Sequence, residues 1–184
     1  MHMKTTIIST SPMAQLQFVV PIDAFQLSSE ADAAALHILE HWLLEGAGDY
    51  ADAEALFKAA REIGGSLGAV SRKALVIKLS YYAPWHERAL ALLEQVVLYP
   101  RFDATSIAQQ KREVIVEAEH DDPITQLFNR AYSDHFADQY ALTGGGALSA
   151  LRKLTNSHIK RCLSVIWRPP GSFSGPDQQT INRL

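Results

Sequence analysis

Gln15-Leu16-Gln17-Phe18-Val19-Val20-Pro21-Ile22 is a short β-rich run, polar at Gln15 and Gln17 and apolar from Phe18 onward. Such a run predicts a strand, which ends or bulges at Pro21 because proline has no N–H to give a ladder. The pattern then changes. Ser28-Ser29, with Glu30 and Asp32 close behind, predicts a helix start, acids sitting at the positive end of the dipole. That helix runs to about Glu45 and stops before Gly46 and Gly48. Asp52 caps a second predicted helix over 53–62, which Gly64-Gly65 ends. From Ser66 to Tyr82 the chain reads as two strands, with Ser71-Arg72-Lys73 as the turn or polar interruption between them. Pro84 suits a helix first turn. Leu90, Leu92, Leu93, Val96 and Val97 recur at helical spacing up to Tyr99-Pro100.

Asp103 caps a long helix carrying Ile107, Val114, Ile115 and Glu117, broken at Asp121-Asp122-Pro123. A helix over about 124–136, a loop at Gly144-Gly145-Gly146, a short helix near 147–153 and a last helix from Thr155 or Asn156 to near Trp167 follow. After Arg168-Pro169-Pro170-Gly171 the composition turns to Ser, Gly, Pro, Gln and Asn. This predicts an α+β domain over 1–170, an antiparallel sheet covered by several helices, and a C-terminal tail over 171–184. No internal repeat is visible.

Composition narrows the class. The chain has 184 residues, 47% hydrophobic and 20% charged, as a globular domain with a real core does. Its 17 Lys+Arg against 20 Asp+Glu leave a charge of −3, with no general attraction to nucleic acid or acidic lipid. Lys111-Arg112 and Arg72-Lys73 are too sparse for a nucleic-acid surface. No 18-residue apolar run predicts membrane insertion. The first residues, Met1 to Ser9, carry a charge without a long apolar stretch, so they do not read as a signal peptide. Cytoplasmic location is the expectation, with an exported protein whose signal has been removed as the alternative. Cys162 is the one cysteine, which excludes an internal disulfide and a cysteine zinc cluster.

The informative chemistry is in Ala35-Leu36-His37-Ile38-Leu39-Glu40-His41-Trp42, which contains H-x-x-E-H. Chance supplies roughly 0.01 such matches in a chain of this composition, so the motif merits a chemical reading. His37 and His41 are four apart and stack on one helix face. Two imidazoles there can ligate one zinc. Glu40 shares the face and can act on a metal-bound water rather than on the metal. A solvated helix face is the bland alternative. Leu36, Ile38, Leu39, Trp42, Leu43 and Leu44 argue against it, because polar groups in an apolar helix need partners. A third ligand must come from elsewhere. The long helix offers Glu113, Glu117, Glu119 and His120, among which composition does not choose.

With these residues in place, the sequence resembles the inverzincin metallopeptidases of the insulinase, pitrilysin and mitochondrial processing peptidase family. The similarity extends over about residues 14–169. Ile63-Gly64-Gly65-Ser66-Leu67-Gly68-Ala69 takes the place of the family's Gly-Gly turn and strand. Leu92 to Phe102 takes that of the proline-ended helix before the third ligand. Glu117 stands 76 residues after His41, about the family's spacing for its third zinc ligand. Aligning Arg112 on the family's Glu-Arg pair would instead place the ligand at Ala118. The spacing from His41 and from Pro100 favours Glu117.

The resemblance therefore implies Zn2+ on His37, His41 and Glu117, with Glu40 as general base. It implies a peptide substrate lying along Ser66, Leu67, Gly68 and Ala69, with Gln110 as a further candidate substrate position. Two positions depart from the family. Gln110 stands where a supporting glutamate is usual, and Gly68 where asparagine is. The family encloses its substrate between paired domains, and this chain matches only the zinc-bearing one. The implication is a second peptidase-like subunit or a homo-oligomer. A non-catalytic assembly subunit with the same fold is the alternative, favoured by Gln110 and the missing half. Intact Glu40 favours the enzyme.

Other features read as ordinary. His86 and His158 suggest surface helices, and His135 solvent or packing. Gly144-Gly145-Gly146 lacks the strand and the G-K-[ST] of a phosphate loop. Cys162 in an amphipathic helix reads as packed, and Trp42 and Trp85 as core or interface.

Overall fold

The computed structural model describes residues 2–7, 12–21, 25, 27, 29–71, 74–101, 104–120, 123–124, 127 and 148–166. The chain order is β1 (His2–Ile7), β2 (Met13–Pro21), α1 (Glu30–Trp42), α2 (Ala53–Glu62), β3 (Ser66–Ser71) and β4 (Ala74–Tyr82). Then come a 3-10 turn (Ala83–Trp85), α3 (His86–Leu98), α4 (Ala104–Glu119), α5 (Leu148–Lys153) and α6 (Asn156–Ile166). The four strands form one antiparallel sheet in the order β1-β2-β4-β3. This is the α+β architecture expected. The predicted helix over 124–136, the triple-glycine loop and the 171–184 tail fall largely or wholly outside the described residues.

The sheet is two-faced because its strands alternate. Ala14, Leu16, Phe18 and Val20 of β2 are buried, as are Leu75, Ile77, Leu79 and Tyr81 of β4. The register sets Leu16 against Leu79 and Phe18 against Ile77, so the two buried sets lie side by side. Each large side chain buried this way stabilises the fold by about 1.5–3 kcal/mol. Strand β2 ends at Pro21, as the missing N–H requires. Strand β1 escaped the sequence reading. Its His2-Met3-Lys4-Thr5 start has no clear alternation, and only pairing with β2 (His2 with Val19 through Ile7 with Ala14) makes it a strand.

Helix α1 is the hub. It packs on β3, α4, α5 and α6. Ala34, Ala35, Leu36, Ile38, Leu39, Trp42 and Leu43 are all buried. Ser29 caps it, its hydroxyl accepting from the Asp32 N–H at 3.3 Å. The regular helix stops at Trp42, short of the expected Glu45. The Leu44 and Glu45 N–H groups bond instead to the His41 and Trp42 carbonyls, three residues back, which tightens the last turn. Asp52 caps α2 as expected, accepting from the Ala55 N–H at 2.8 Å. Gly64 ends that helix with φ +72°. Gly65 is needed for closeness: a Cβ there would fall 1.7 Å from the Ser80 carbonyl oxygen.

Candidate metal centre

Three elements converge on the motif. Helix α1 carries His37, Glu40 and His41, α4 carries Glu117, and β3 ends at Ser71. The apolar stripe of α1 anchors that helix in the core. Its remaining face therefore presents His37 and His41 at the boundary, with side-chain exposures of 16% and 26%. Their Nε2 atoms are 3.2 Å apart, and the rings tilt by 58°. Glu117 Oε2 lies 3.6 Å from His37 Nε2 and 3.5 Å from His41 Nε2.

These separations can be tested against metal geometry. Ligand atoms at 2.0–2.1 Å from a tetrahedral ion lie about 3.3–3.4 Å from one another. The donor separations of 3.2, 3.5 and 3.6 Å are close to that spacing. Two imidazoles and one carboxylate are also a donor set that zinc accepts. The residues present therefore fit the ion that the sequence implied.

The four acidic-helix candidates now separate. Glu113 accepts from Gln109 at 2.9 Å on an exposed face. Glu119 pairs with Arg152 of α5 at 2.8 Å. His120 Nδ1 contacts the Val116 carbonyl oxygen at 2.8 Å. Glu117 alone of the four joins the histidines in a cluster whose donor atoms lie within 4.8 Å of one another.

The electrostatics favour ligation. Burial, then the neighbouring His41, lower the His37 pKa to about 4, so its ring is neutral at pH 7. A neutral ring is what a metal binds. Glu40 is raised above the ordinary carboxylate range, chiefly by burial. Hydrogen bonds from Ser71 and the charge of His41 pull it back, while Glu117 pushes it up. A carboxylate raised toward working pH is a better proton acceptor.

Ser71 is the residue that sequence reading missed. It is buried, and both its N–H (2.7 Å) and its hydroxyl (2.5 Å) donate to Glu40 Oε2. As the first residue of an apparent Ser-Arg-Lys turn, it carried a turn signal rather than a core one. The strand periodicity contained the clue, since Ser71 shares a face with the buried Leu67.

Four of the candidate substrate positions lie on β3, an edge strand of the sheet, and the fifth, Gln110, lies on α4. Leu67 points into the core, Ser66 is exposed, and Gly68 and Ala69 are half-buried. A Cβ on Gly68 would meet nothing within 4 Å. Gln110 is 2% exposed and its Oε1 has no hydrogen-bond partner among the described residues. It is an interior group of α4, two turns before Glu117.

Outside the centre, the readings of Cys162 and Trp42 fit their surroundings, while His135 and the triple-glycine loop lie outside the described residues. Cys162 is buried and its thiol is pushed up to about 11 by burial, so it is not a reactive thiolate. Trp42 is in the core, while Trp85 is exposed under the Arg88 guanidinium. His86 is less superficial than its neighbours suggested: its Nδ1 contacts the Tyr81 hydroxyl at 2.6 Å. His158 Nδ1 lies 2.8 Å from Thr155 Oγ1 in the cap of α6.

The α+β domain thus brings two histidines and a glutamate together from two of its helices. The chain belongs to the insulinase family (peptidase family M16), whose family model matches residues 29–142. Solved structures share the fold. A Helicobacter pylori protease superposes with TM-score 0.72 at 17% identity, covering 86% of this chain and 39% of that one. The periplasmic protease PqqL of Escherichia coli gives 0.68 at 12%, covering 86% and 18%. A peptidase M16 inactive domain from Pseudomonas fluorescens gives 0.67 at 20%, covering 88% and 43%. This chain thus spans less than half of each. No curated protein matches it. Among the described residues, no helix is long and apolar enough to cross a membrane.

Proposed function

We propose that this chain is the zinc-bearing domain of a peptidase that hydrolyses short, flexible peptides. The observation that carries the reading is the meeting of His37, His41 and Glu117 donor atoms from two helices, with Glu40 between the histidines in sequence. His37, His41 and Glu117 would hold zinc, which supplies a water of pKa near 7 and a Lewis acid for the scissile carbonyl. Glu40 accepts the proton of the attacking water and hands it to the leaving amine. Its raised pKa, set mainly by burial, suits both transfers. The peptide adds as a strand beside β3 along Ser66, Leu67, Gly68 and Ala69, because an edge strand offers main-chain pairing that tolerates varied sequences.

A second peptidase-like subunit, or another copy of this chain, closes the chamber. The stretch matched here is less than half of each solved relative, which leaves room in such a chamber for a second peptidase-like domain. The rival reading is an assembly subunit without catalysis, and the Pseudomonas fluorescens relative described as an inactive domain gives it substance.

Zinc content and hydrolysis of a fluorogenic peptide library separate the two. Wild type, alone or with a copurifying subunit, should bind one zinc and cleave. Glu40→Gln should keep the zinc and lose at least about 100-fold in kcat. Zinc-loaded wild type that cleaves no better than Glu40→Gln, with and without its copurifying subunit, would establish the scaffold instead.

A further inference from the structure

Glu40 stands beside two metal-binding candidates, yet what holds its carboxyl comes from another element. Ser71 closes β3, across the sheet ladder from Leu75. Its N–H and its hydroxyl both donate to one atom, Glu40 Oε2, at 2.7 and 2.5 Å. We propose that Ser71 is a positioning residue that clamps the general base to the strand on which the peptide lies. The inference rests on the peptidase reading above and adds to it a residue with no ligating or proton-transfer role of its own.

The geometry argues in three steps. Two donors on Oε2 use up that oxygen's accepting capacity, so the proton from water goes to Oε1. A carboxylate held at one oxygen by two donors has one orientation rather than a spread of rotamers, and a base must be correctly placed before its pKa matters. Finally, the clamp sets direction along the strand. The Ser71 N–H is turned toward Glu40 and away from β4. By the two-residue period, the Leu67 and Ala69 N–H groups face the same way. Consistently, the Ser66 N–H is turned inward, to Ser80 Oγ of β4 at 2.9 Å. One row of main-chain groups therefore runs from the peptide positions, Leu67 and Ala69, directly to the base. A peptide paired along that row is registered against Glu40 by the backbone itself.

The test uses the full chain with its copurifying subunit and compares wild type, Ser71→Ala, Ser71→Thr and Glu40→Gln. Ser71→Ala keeps the N–H and loses the hydroxyl. Its kcat should fall about 10- to 100-fold, the cost of a misplaced catalytic group. KM should stay within about twofold, and zinc affinity should not change. Ser71→Thr, which restores the hydroxyl, should recover kcat to within about threefold. Adding Ser71→Ala to Glu40→Gln should cost nothing further, since the group being positioned is gone.

Wild-type kcat in Ser71→Ala would overturn the proposal. So would loss of zinc in parallel with activity, which marks a merely structural residue. A failed peptidase reading is recognised separately, by wild type and Glu40→Gln being equally inactive. In that case crystal structures of zinc-loaded wild type and Ser71→Ala decide. A Glu40 carboxyl that leaves its place only in the variant supports the clamp, and an unmoved carboxyl refutes it.

Discussion

Lowering the pH should unfold the metal-free protein partly through one side chain, His37. Burial and the adjacent His41 depress its pKa to about 4 in the folded chain, against 6.5 for an ordinary histidine. Between those values the unfolded chain binds a proton that the folded chain refuses. Stability from this group is therefore complete above pH 6.5 and is lost as pH falls toward 4. At 1.36 kcal/mol per pKa unit, the loss on going from pH 8 to pH 4 is about 3 kcal/mol. With a urea m-value of about 2 kcal/mol/M for a domain of this size, that is a midpoint shift of about 1.5 M. The assay is urea unfolding at pH 8, 6, 5 and 4 with a chelator present, comparing wild type with His37→Gln. Carboxylates elsewhere titrate in both proteins, so the difference isolates His37. Wild type should lose about 3 kcal/mol more than the variant over this range. Equal losses would refute the reasoning, because they would mean that burial does not hold the ring neutral. At pH 7, zinc at 100 times its Kd should stabilise wild type by about 2.7 kcal/mol and His37→Gln far less.

Two glycines at the start of β3 should behave oppositely. Gly65→Ala places a methyl against the Ser80 backbone carbonyl, 1.7 Å from its oxygen, and the backbone cannot yield as a side chain would. Thermal or urea unfolding should show a loss of about 3 kcal/mol. Gly68→Asn has open space around its Cβ and should change stability by less than about 1 kcal/mol. Because Gly68 lies on the proposed peptide strand, that variant should alter KM for peptides while leaving zinc content intact.

The sheet illustrates how far patterning reaches. Strands β2, β3 and β4 were legible because each is a short β-rich run, partly alternating in β4, set off by a nearby proline, glycine or polar turn. Helix α2 was legible to the residue, since Asp52 and Gly64 punctuate it. Strand β1 was not, because nothing local distinguishes Lys4-Thr5-Thr6 from a loop until β2 pairs with it. The order β1-β2-β4-β3, which makes β3 an edge, was also beyond reach. Sheet order is set by which faces must be covered, and that depends on every element at once.

The same division runs through the site. Helical geometry alone puts His37, Glu40 and His41 on one face, because residues three and four apart share it. The sequence by itself thus set two candidate donors and a candidate base on one helix face and pointed to the class of chemistry they suit. It also narrowed the third donor to a few groups on one helix, and family-like spacing pointed to Glu117. Only tertiary structure showed Glu117 rather than Glu113, Glu119 or His120 beside the histidines. The angle at which α4 crosses α1 decides this, and that angle comes from packing between residues distant in sequence. Tertiary structure likewise turned Ser71 from a turn residue into the support of Glu40, across 31 positions of chain. Local periodicity reports what a residue does for its own element, and contacts between elements are set by the closing of the core.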